Sequence, residues 1–411
     1  MKITFCLFTE INDWPRTLNI YGPVISKIIK RYNNFTIINF GNLLNNKPFL
    51  NKDLINFSTN QDKFEGKLNI FNPLTKEEFF AYIKNKNIFA FDALGKSLIT
   101  FKIRRLINKN NIKLILLMNV GYLSNSRIFS LSNFKKSFFT LQKRIINLIY
   151  RFLVLIKYFP NIFIYFESRK EIYDSCILNK KSLLSQIFPF LNILYFQNIY
   201  KINSISYDRY IESKNNLKEN KILFLGGNYK HGDILFGQNF DLIKLQKIYF
   251  ERLENFFRWI SLLFNQPVEI CLHPSSDKRE YKNFFKDRLI TQNSTYESIK
   301  NASIVVFHES SAFLDAIFYK KKIISLNTFL FGTYLSNRID YYRNQFNLVS
   351  INLDFFNSDF AREYKPNNLL EDLEKVTSNY DHYINKNLKT DTDEKSSDKV
   401  IRILESYEKN Y

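Results

Sequence analysis

Histidine, cysteine, proline and glycine are scarce in this chain, at 4, 3, 9 and 10 of its 411 residues. Three cysteines, none in CxxC spacing, exclude a disulfide-stapled secreted scaffold. Cys6, Cys176 and Cys271 each stand in apolar or mixed runs and read as reduced core residues. No His/Cys/Asp cluster has metal-ligand spacing, so neither a metal site nor a resident cofactor is expected. Acidic residues are also outnumbered, 39 against 59 Lys and Arg, which leaves a net charge of +20. Such a balance suits anionic partners in general. The basic residues are spread along the whole chain, however, in a composition rich in Lys, Asn, Ile and Phe that an AT-rich coding sequence also produces. No nucleic-acid partner is therefore expected. Long hydrophobic runs are missing too. The most apolar region, 145–164, is broken by Arg151, Lys157 and Pro160 and does not read as a transmembrane helix. The opening run to Phe8 ends at Thr9-Glu10 without a cleavage site, so it reads as a first strand and not as a signal peptide.

A hydrophobic content of 45% with 17% aromatics is ample for large cores. At about 150 residues per domain, the length suggests two or three domains. Short apolar runs alternate with helical patterns, which argues for α/β units built on parallel sheets. In the first half, strands are expected at Ile3–Phe8, Thr36–Phe40, Ile88–Phe91, Leu114–Met118 and Ile162–Phe166. Helices are expected at Pro23–Tyr32, Lys76–Lys84, Lys96–Asn108 and Leu141–Tyr158. The stretch Phe134–Tyr158 carries Lys135, Lys136, Lys143, Arg144, Arg151 and Lys157 and no acid. It reads either as a core helix with a solvated basic edge or as a helix able to lie on a membrane surface.

The expected division is a first α/β domain over 1–205, a polar linker over 206–220 and a second α/β domain over 221–390. A charged, loose tail and terminal helix over 391–411 complete it. In the second domain, strands are expected at Lys221–Leu225, Val268–Leu272, Ile304–Phe307 and Lys322–Leu326, with a helix at Ser311–Tyr319. Leu245, Tyr249, Leu253, Phe256, Ile260 and Leu263 recur three and four apart and mark a long helix. Two Rossmann-like parallel-sheet domains facing a cleft are the expected fold, and ligands of open α/β sheets sit at the carboxyl ends of strands.

Chemistry is accordingly sought just after strands. His273-Pro274-Ser275-Ser276 follows one, and the proline fixes a turn that aims the imidazole out of the strand end. Such a histidine either caps the strand or contacts and protonates a phosphate oxygen. His308-Glu309-Ser310-Ser311 follows the next, where the serines serve as helix N-cap, as anion ligands or as both. Gly226-Gly227-Asn228-Tyr229-Lys230-His231 follows the restart strand and lets backbone N–H groups approach a phosphate, or is a flexible loop. His382, in a polar helical stretch, reads as surface. In the first half, Asp13 and Asp92 stand after strands. Either suits a base that deprotonates a hydroxyl, and either suits a turn or cap.

Strand-His273-Pro274 followed by strand-His308-Glu309-Ser310-Ser311-helix resembles the His-Pro and Ser-Ser motifs of bacterial sialyltransferase-like and Kdo-transferase-like enzymes of the GT-B fold. From Tyr207-Asp208-Arg209-Tyr210 to Lys322-Ile323-Ile324-Ser325 the chain is also similar to surface-polysaccharide biosynthesis proteins. The resemblance covers about half of the chain. It implies transfer of a sugar from a CMP-activated donor to a glycan or lipid-linked acceptor of capsule or lipopolysaccharide. It further implies that His273 contacts or protonates the donor phosphate while Ser310 and Ser311 hold it; His308, Ser275, Gly226 and Gly227 stand beside them. Asp92-Ala93-Leu94-Gly95 is similar to the acidic-acidic-Gly motif of the catalytic base, but lacks the second acid and has an extra residue. The site implied is cytoplasmic, open to peripheral contact with the anionic inner membrane. A CDP-polyol phosphotransferase of teichoic-acid type, a non-catalytic binder of anionic polymers and an inactive assembly partner are the competing readings.

Overall fold

A computed structural model describes residues 3–10, 14–45, 67–94, 98–118, 146, 149–150, 152–154, 156–181, 196–212, 220–227, 242–273, 276–292, 295–308, 310–331, 333–355, 366–390 and 392–409. Two compact units are formed. One holds the described residues up to Asp208 and again from Leu388; the other holds those from Arg209 to Asn387.

The first unit is built on β1 (Ile3–Thr9), β2 (Asn34–Asn39), β3 (Lys67–Phe71), β4 (Asn87–Ala93), β5 (Lys113–Met118), β6 (Ile162–Glu167) and β7 (Phe196–Lys201). They pair in the order β3-β2-β1-β4-β5-β6-β7, every pair parallel. The second unit is built on β8 (Ile222–Gly226), β9 (Val268–Leu272), β10 (Ile290–Gln292), β11 (Ile304–Phe307), β12 (Lys322–Asn327) and β13 (Val349–Asn352). Their order is β10-β9-β8-β11-β12-β13, again all parallel. Central parallel strands are covered on both faces and therefore read as largely apolar runs; every residue of β8 and β9 is buried, including Glu269, which pairs with Lys221. Strands β3, β7, β10 and β13, which the sequence pattern did not mark, lie at sheet edges. An edge strand is covered less completely: in β7 only Phe196 is buried.

Returns from helix to strand turn mainly on asparagine where many chains use glycine. Asn33, Asn85, Asn111, Asn265 and Asn347 have φ between 50° and 63°, each just past a helix and before a strand. Asparagine tolerates this left-handed conformation better than other non-glycine residues, so ten glycines suffice for a chain with many such returns.

On one face of the first sheet lies α1 (Trp14–Tyr32), whose Val24 and Ile28 pack with Phe5 and Leu7. On the other lie α2 (Lys76–Ile83), α3 (Leu98–Lys109) and α4 (Lys170–Lys181), which bring Phe79, Ile103, Ile107 and Cys176 against Phe8, Ala90 and Leu114. In the second unit the long helix expected from its periodicity is α6 (Leu242–Phe264), preceded by α5 (Ile205–Glu212) and followed by α7 (Lys278–Phe284). Later comes α8 (Phe313–Phe318), and the chain then returns to the first unit with α9 (Ser396–Glu408).

Two expectations change here. The start of the polar stretch 206–220 forms α5, with Tyr207 and Asp208 buried, and the boundary between the two units falls between Asp208 and Arg209. The charged stretch 391–398, expected to be loose, is anchored where it is described. Asn203 donates to the carbonyls of Thr392 and Glu394 at 3.1 and 2.7 Å. Asp208 accepts from the backbone N–H of Ser396 at 2.7 Å and from its hydroxyl, placing a negative charge at the positive end of α9. Beyond it, Val400 and Leu404 of α9 join the core under α1, and Arg31 pairs with Glu405 at 3.0 Å. The composition of 391–398 is that of a tail, but a buried donor, Asn203, and a buried acceptor, Asp208, of the first unit bond to it.

Candidate functional site

In the second sheet the strand order reverses between β8 and β11: connections run outward to β9 and β10 on one side, then to β12 and β13 on the other. At such a switch point adjacent loops leave in opposite directions and open a crevice at the carboxyl ends of the strands. Register brings three of the expected segments to this edge. Gly226 ends β8 opposite Leu272 of β9, and Leu225 lies opposite Phe307 of β11. His273, Gly226-Gly227 and His308 therefore leave neighbouring strands at one level.

Gly226 sits where β8 and β9 leave little room for a side chain. A Cβ there would stand 3.1 Å from Cδ2 of Leu272 and 3.6 Å from the carbonyl oxygen of Cys271. The carbonyl of Gly227 accepts from the hydroxyl of Tyr281 at 3.0 Å, and burial pushes that phenol above its ordinary pKa, so it stays a donor. His273 is exposed, while its backbone is held at three points. Its N–H donates to Gly226 at 3.0 Å, and its carbonyl accepts from Ser276 N–H at 2.9 Å and from Gln292 Nε2 at 3.2 Å. Thus the main chain is fixed by bonds that do not involve the imidazole.

Ser310 and Ser311 open a turn before α8, whose first residue is Phe313. Ser310 Oγ accepts from Ala312 N–H at 3.3 Å, and the Ser310 and Ser311 carbonyls accept from Phe313 and Leu314. Ser310 is half-buried and Ser311 exposed. Pro274, Ser275, Glu309, Lys230 and His231 lie outside the described residues.

His308 departs from its expected role. It is 5% exposed and ringed by Phe224, Tyr249 and Phe331, with centroids 5.7, 5.5 and 4.8 Å away. Its Nδ1 lies 2.8 Å from the carbonyl oxygen of Leu326. A carbonyl can only accept, so Nδ1 carries the proton. Burial lowers the imidazole pKa from 6.5 to about 4 against the opposing pull of that carbonyl, so near neutrality the ring is uncharged. Nε2 is then a lone-pair acceptor, and it is buried without a hydrogen-bond partner among the described residues. With its one proton committed to a carbonyl, the neutral ring has none to offer a phosphate, and a donor role for His308 would need a second proton on Nε2.

A stability consequence follows. Unfolding exposes a histidine that titrates near 6.5, while the folded form stays neutral down to about pH 4. Between those limits the unfolded state binds the extra proton. Stability is therefore full above pH 6.5 and declines as pH falls towards 4, by roughly 3 kcal/mol in all. Urea unfolding across this window should show the decline, and His308→Gln should flatten it. An unchanged pH slope in the variant would assign the acid sensitivity to other groups.

The first sheet has its own switch point, between β1 and β4, where Phe8 lies opposite Asp92. Asp13 and Gly95 lie outside the described residues. Asp92 is buried, and both its oxygens are occupied: Arg104 Nη1 donates to Oδ2 at 2.8 Å, and Nη2 reaches Oδ1 at 3.3 Å. The N–H of Leu94 also donates to Oδ1, at 3.1 Å. Arg104, itself 1% exposed, bonds the Leu94 carbonyl at 3.0 Å. Both carboxylate oxygens are thus engaged by donors of this unit, two from one guanidinium and one from the main chain. Asp92, expected as a candidate base, is thus found in a buried ion pair that holds the turn after β4.

Arg104 escaped notice in the sequence because a helical arginine has no signature until its partner is known. A second buried pair, Glu167 at the end of β6 with Arg169 at 2.7 Å, was missed for the same reason. Its visible signal is an acid closing an apolar strand two residues before an arginine. Among the described residues no group of three His, Cys, Asp or Glu side chains is placed to hold a metal ion. No described helix is long and apolar enough to cross a membrane.

No protein-family model matches the chain, and no curated protein matches its sequence. Solved structures do. A histidine-to-alanine variant of the wall teichoic acid polymerase TagF superposes with a TM-score of 0.51 at 12% identity, over 99% of this chain and 89% of that one. A putative UDP-N-acetylglucosamine 2-epimerase from Listeria monocytogenes gives 0.49 at 10% identity, over 100% and 98%. The calicheamicin glycosyltransferase CalG4 gives 0.47 at 8%, over 99% and 100%. The likeness to TagF extends over both sheets and agrees with the strand orders: the fold is a pair of Rossmann-like parallel-sheet domains.

Proposed function

We propose that the protein is a glycosyltransferase of GT-B type, acting in surface-polysaccharide biosynthesis on a nucleotide-activated, CMP-linked sugar donor and a glycan or lipid-linked acceptor. The observation that supports this reading is the carboxyl edge of the second sheet, where strands β9, β8 and β11 end side by side at the switch point and lead on to His273, Gly227 and, three residues beyond Phe307, Ser310-Ser311. Glycines there allow a phosphate to approach the backbone, serine hydroxyls bind its oxygens, and the exposed imidazole of His273 protonates or neutralises the leaving phosphate. With Asp92 committed to Arg104, the base in this reading is Asp13, which follows β1 in the sequence. Metal assistance is not part of this scheme: charge on the leaving nucleotide is met by His273 and hydrogen-bond donors.

A second reading is favoured by one observation. Another TagF variant, in a structure soaked with CDPG, also matches at a TM-score of 0.51. A CDP-polyol phosphotransferase would use the same edge and the same histidine to release CMP, and would differ in transferring a polyol phosphate in place of a sugar.

Both readings are tested by melting the protein with CMP, CDP, UDP, GDP and ADP. A cytidine nucleotide at a hundredfold excess over its Kd should stabilise the fold by about 2.7 kcal/mol. The other nucleotides should do less, and His273→Ala should weaken the effect. Product analysis with a lipid-linked acceptor then separates sugar from polyol-phosphate transfer. Equal shifts with every nucleotide, or none, would defeat the donor assignment.

A further inference from the structure

Segment 149–159 of the first unit has two apolar faces, and only one of them is used. Tyr150 and Val154 turn inward and form a small core with Phe159 and with Phe101 of α3. On the opposite side Ile149, Phe152 and Ile156 are 41, 56 and 52% exposed. Their spacing is helical, and the bond from Ile156 N–H to the Phe152 carbonyl at 3.0 Å carries the helical turn through to 156. An exposed stripe of large apolar side chains is uncommon on a water-facing helix and marks a surface that meets something.

Charge tells what that something is. Helix α3 packs beside the segment: Asn108 donates to the carbonyl of Lys157 at 2.7 Å, and the Arg105 guanidinium sits 4.6 Å from the ring centroid of Tyr158. Lys102, Arg105 and Lys109 of α3 are all exposed. Neither α3 nor the sequence 134–158 contains a single acid, whereas both are rich in Lys and Arg. A protein partner that covered this stripe would have to be uniformly acidic around an apolar centre. An anionic bilayer has that character by construction, with phosphate charge at the surface and hydrocarbon beneath.

We infer that this face of the first unit docks on an anionic lipid surface. Ile149, Phe152 and Ile156 enter the boundary between headgroups and acyl chains, and the α3 cations meet the lipid phosphates. The inference is independent of the donor chemistry, since none of these residues belongs to the second-unit site.

The test is co-sedimentation of the full chain with phosphatidylcholine vesicles, with and without phosphatidylglycerol. Binding is expected only with the anionic lipid and should weaken in high salt. Phe152→Glu/Ile156→Glu and, separately, Lys102→Glu/Lys109→Glu should each weaken it by at least about tenfold. All four side chains are exposed, so melting temperature and nucleotide binding should be retained in both variants. Equal binding to neutral vesicles, or undiminished binding by the apolar variant, would overturn the proposal. So would loss of self-association in the apolar variant of a chain that never binds vesicles, because the stripe would then be covered by a second copy.

Discussion

Replacing His273 by alanine is expected to lower turnover by about 10²–10⁴-fold, the usual worth of a positioned acid–base group. Folding should be unaffected. The main-chain bonds of His273 to Gly226, Ser276 and Gln292 do not depend on the side chain, so alanine is compatible with all three. The substitution removes only the exposed ring. Steady-state kinetics on a nucleotide-sugar, with a thermal melt alongside, reads the outcome. A fall in kcat with little change in KM means that the imidazole acts on the leaving phosphate in the transition state. A rise in KM alone would reduce His273 to a binding contact, and wild-type rates would remove it from the chemistry.

Replacing Arg104 by methionine is expected to destabilise the first unit by about 3–5 kcal/mol, because it leaves the Asp92 carboxylate buried without its counter-charge. The pair lies in the interior, with side chains 1% and 5% exposed, so solvent cannot take over the role of the guanidinium. Removing both charges, as Arg104→Met with Asp92→Asn, should recover much of the loss, and the double-mutant cycle isolates the coupling. Urea unfolding measures each variant. The same series decides the role of Asp92. Should Asp92→Asn alone fold as stably as the wild type and yet lack activity, Asp92 would be the base after all and the ion pair incidental. Loss of stability with residual activity leaves that role to Asp13.

Legibility in the sequence followed burial. Central strands such as β1, β8, β9 and β11 are mostly apolar because both sheet faces are covered, with Glu269 of β9 as a buried exception, and they were read at nearly their observed bounds. The long helix α6 declared itself through positions three and four apart, of which Tyr249, Leu253, Phe256 and Ile260 are all buried. Edge strands carry half of that signal and were missed. Segment 134–158 was legible as basic and aromatic, but its pattern could not say which of two apolar faces would be left open.

What the sequence determined by itself is the alternation of strand and helix, hence two parallel α/β sheets, and the placement of glycine, histidine and serine just after strands of the second. These are local properties: hydrophobic period and residue order survive without knowledge of any distant partner. Tertiary structure alone decided what each polar group does. Asp92 is an ion-pair member because Arg104 comes back onto it from α3. His308 is a neutral acceptor because the Leu326 carbonyl, on another strand, holds its one proton. Asp208 anchors the last helix because Ser396, far along the chain, arrives at its carboxylate. A side chain's charge and hydrogen-bonding role depend on what surrounds it after folding, and those neighbours come from segments whose proximity no local pattern encodes.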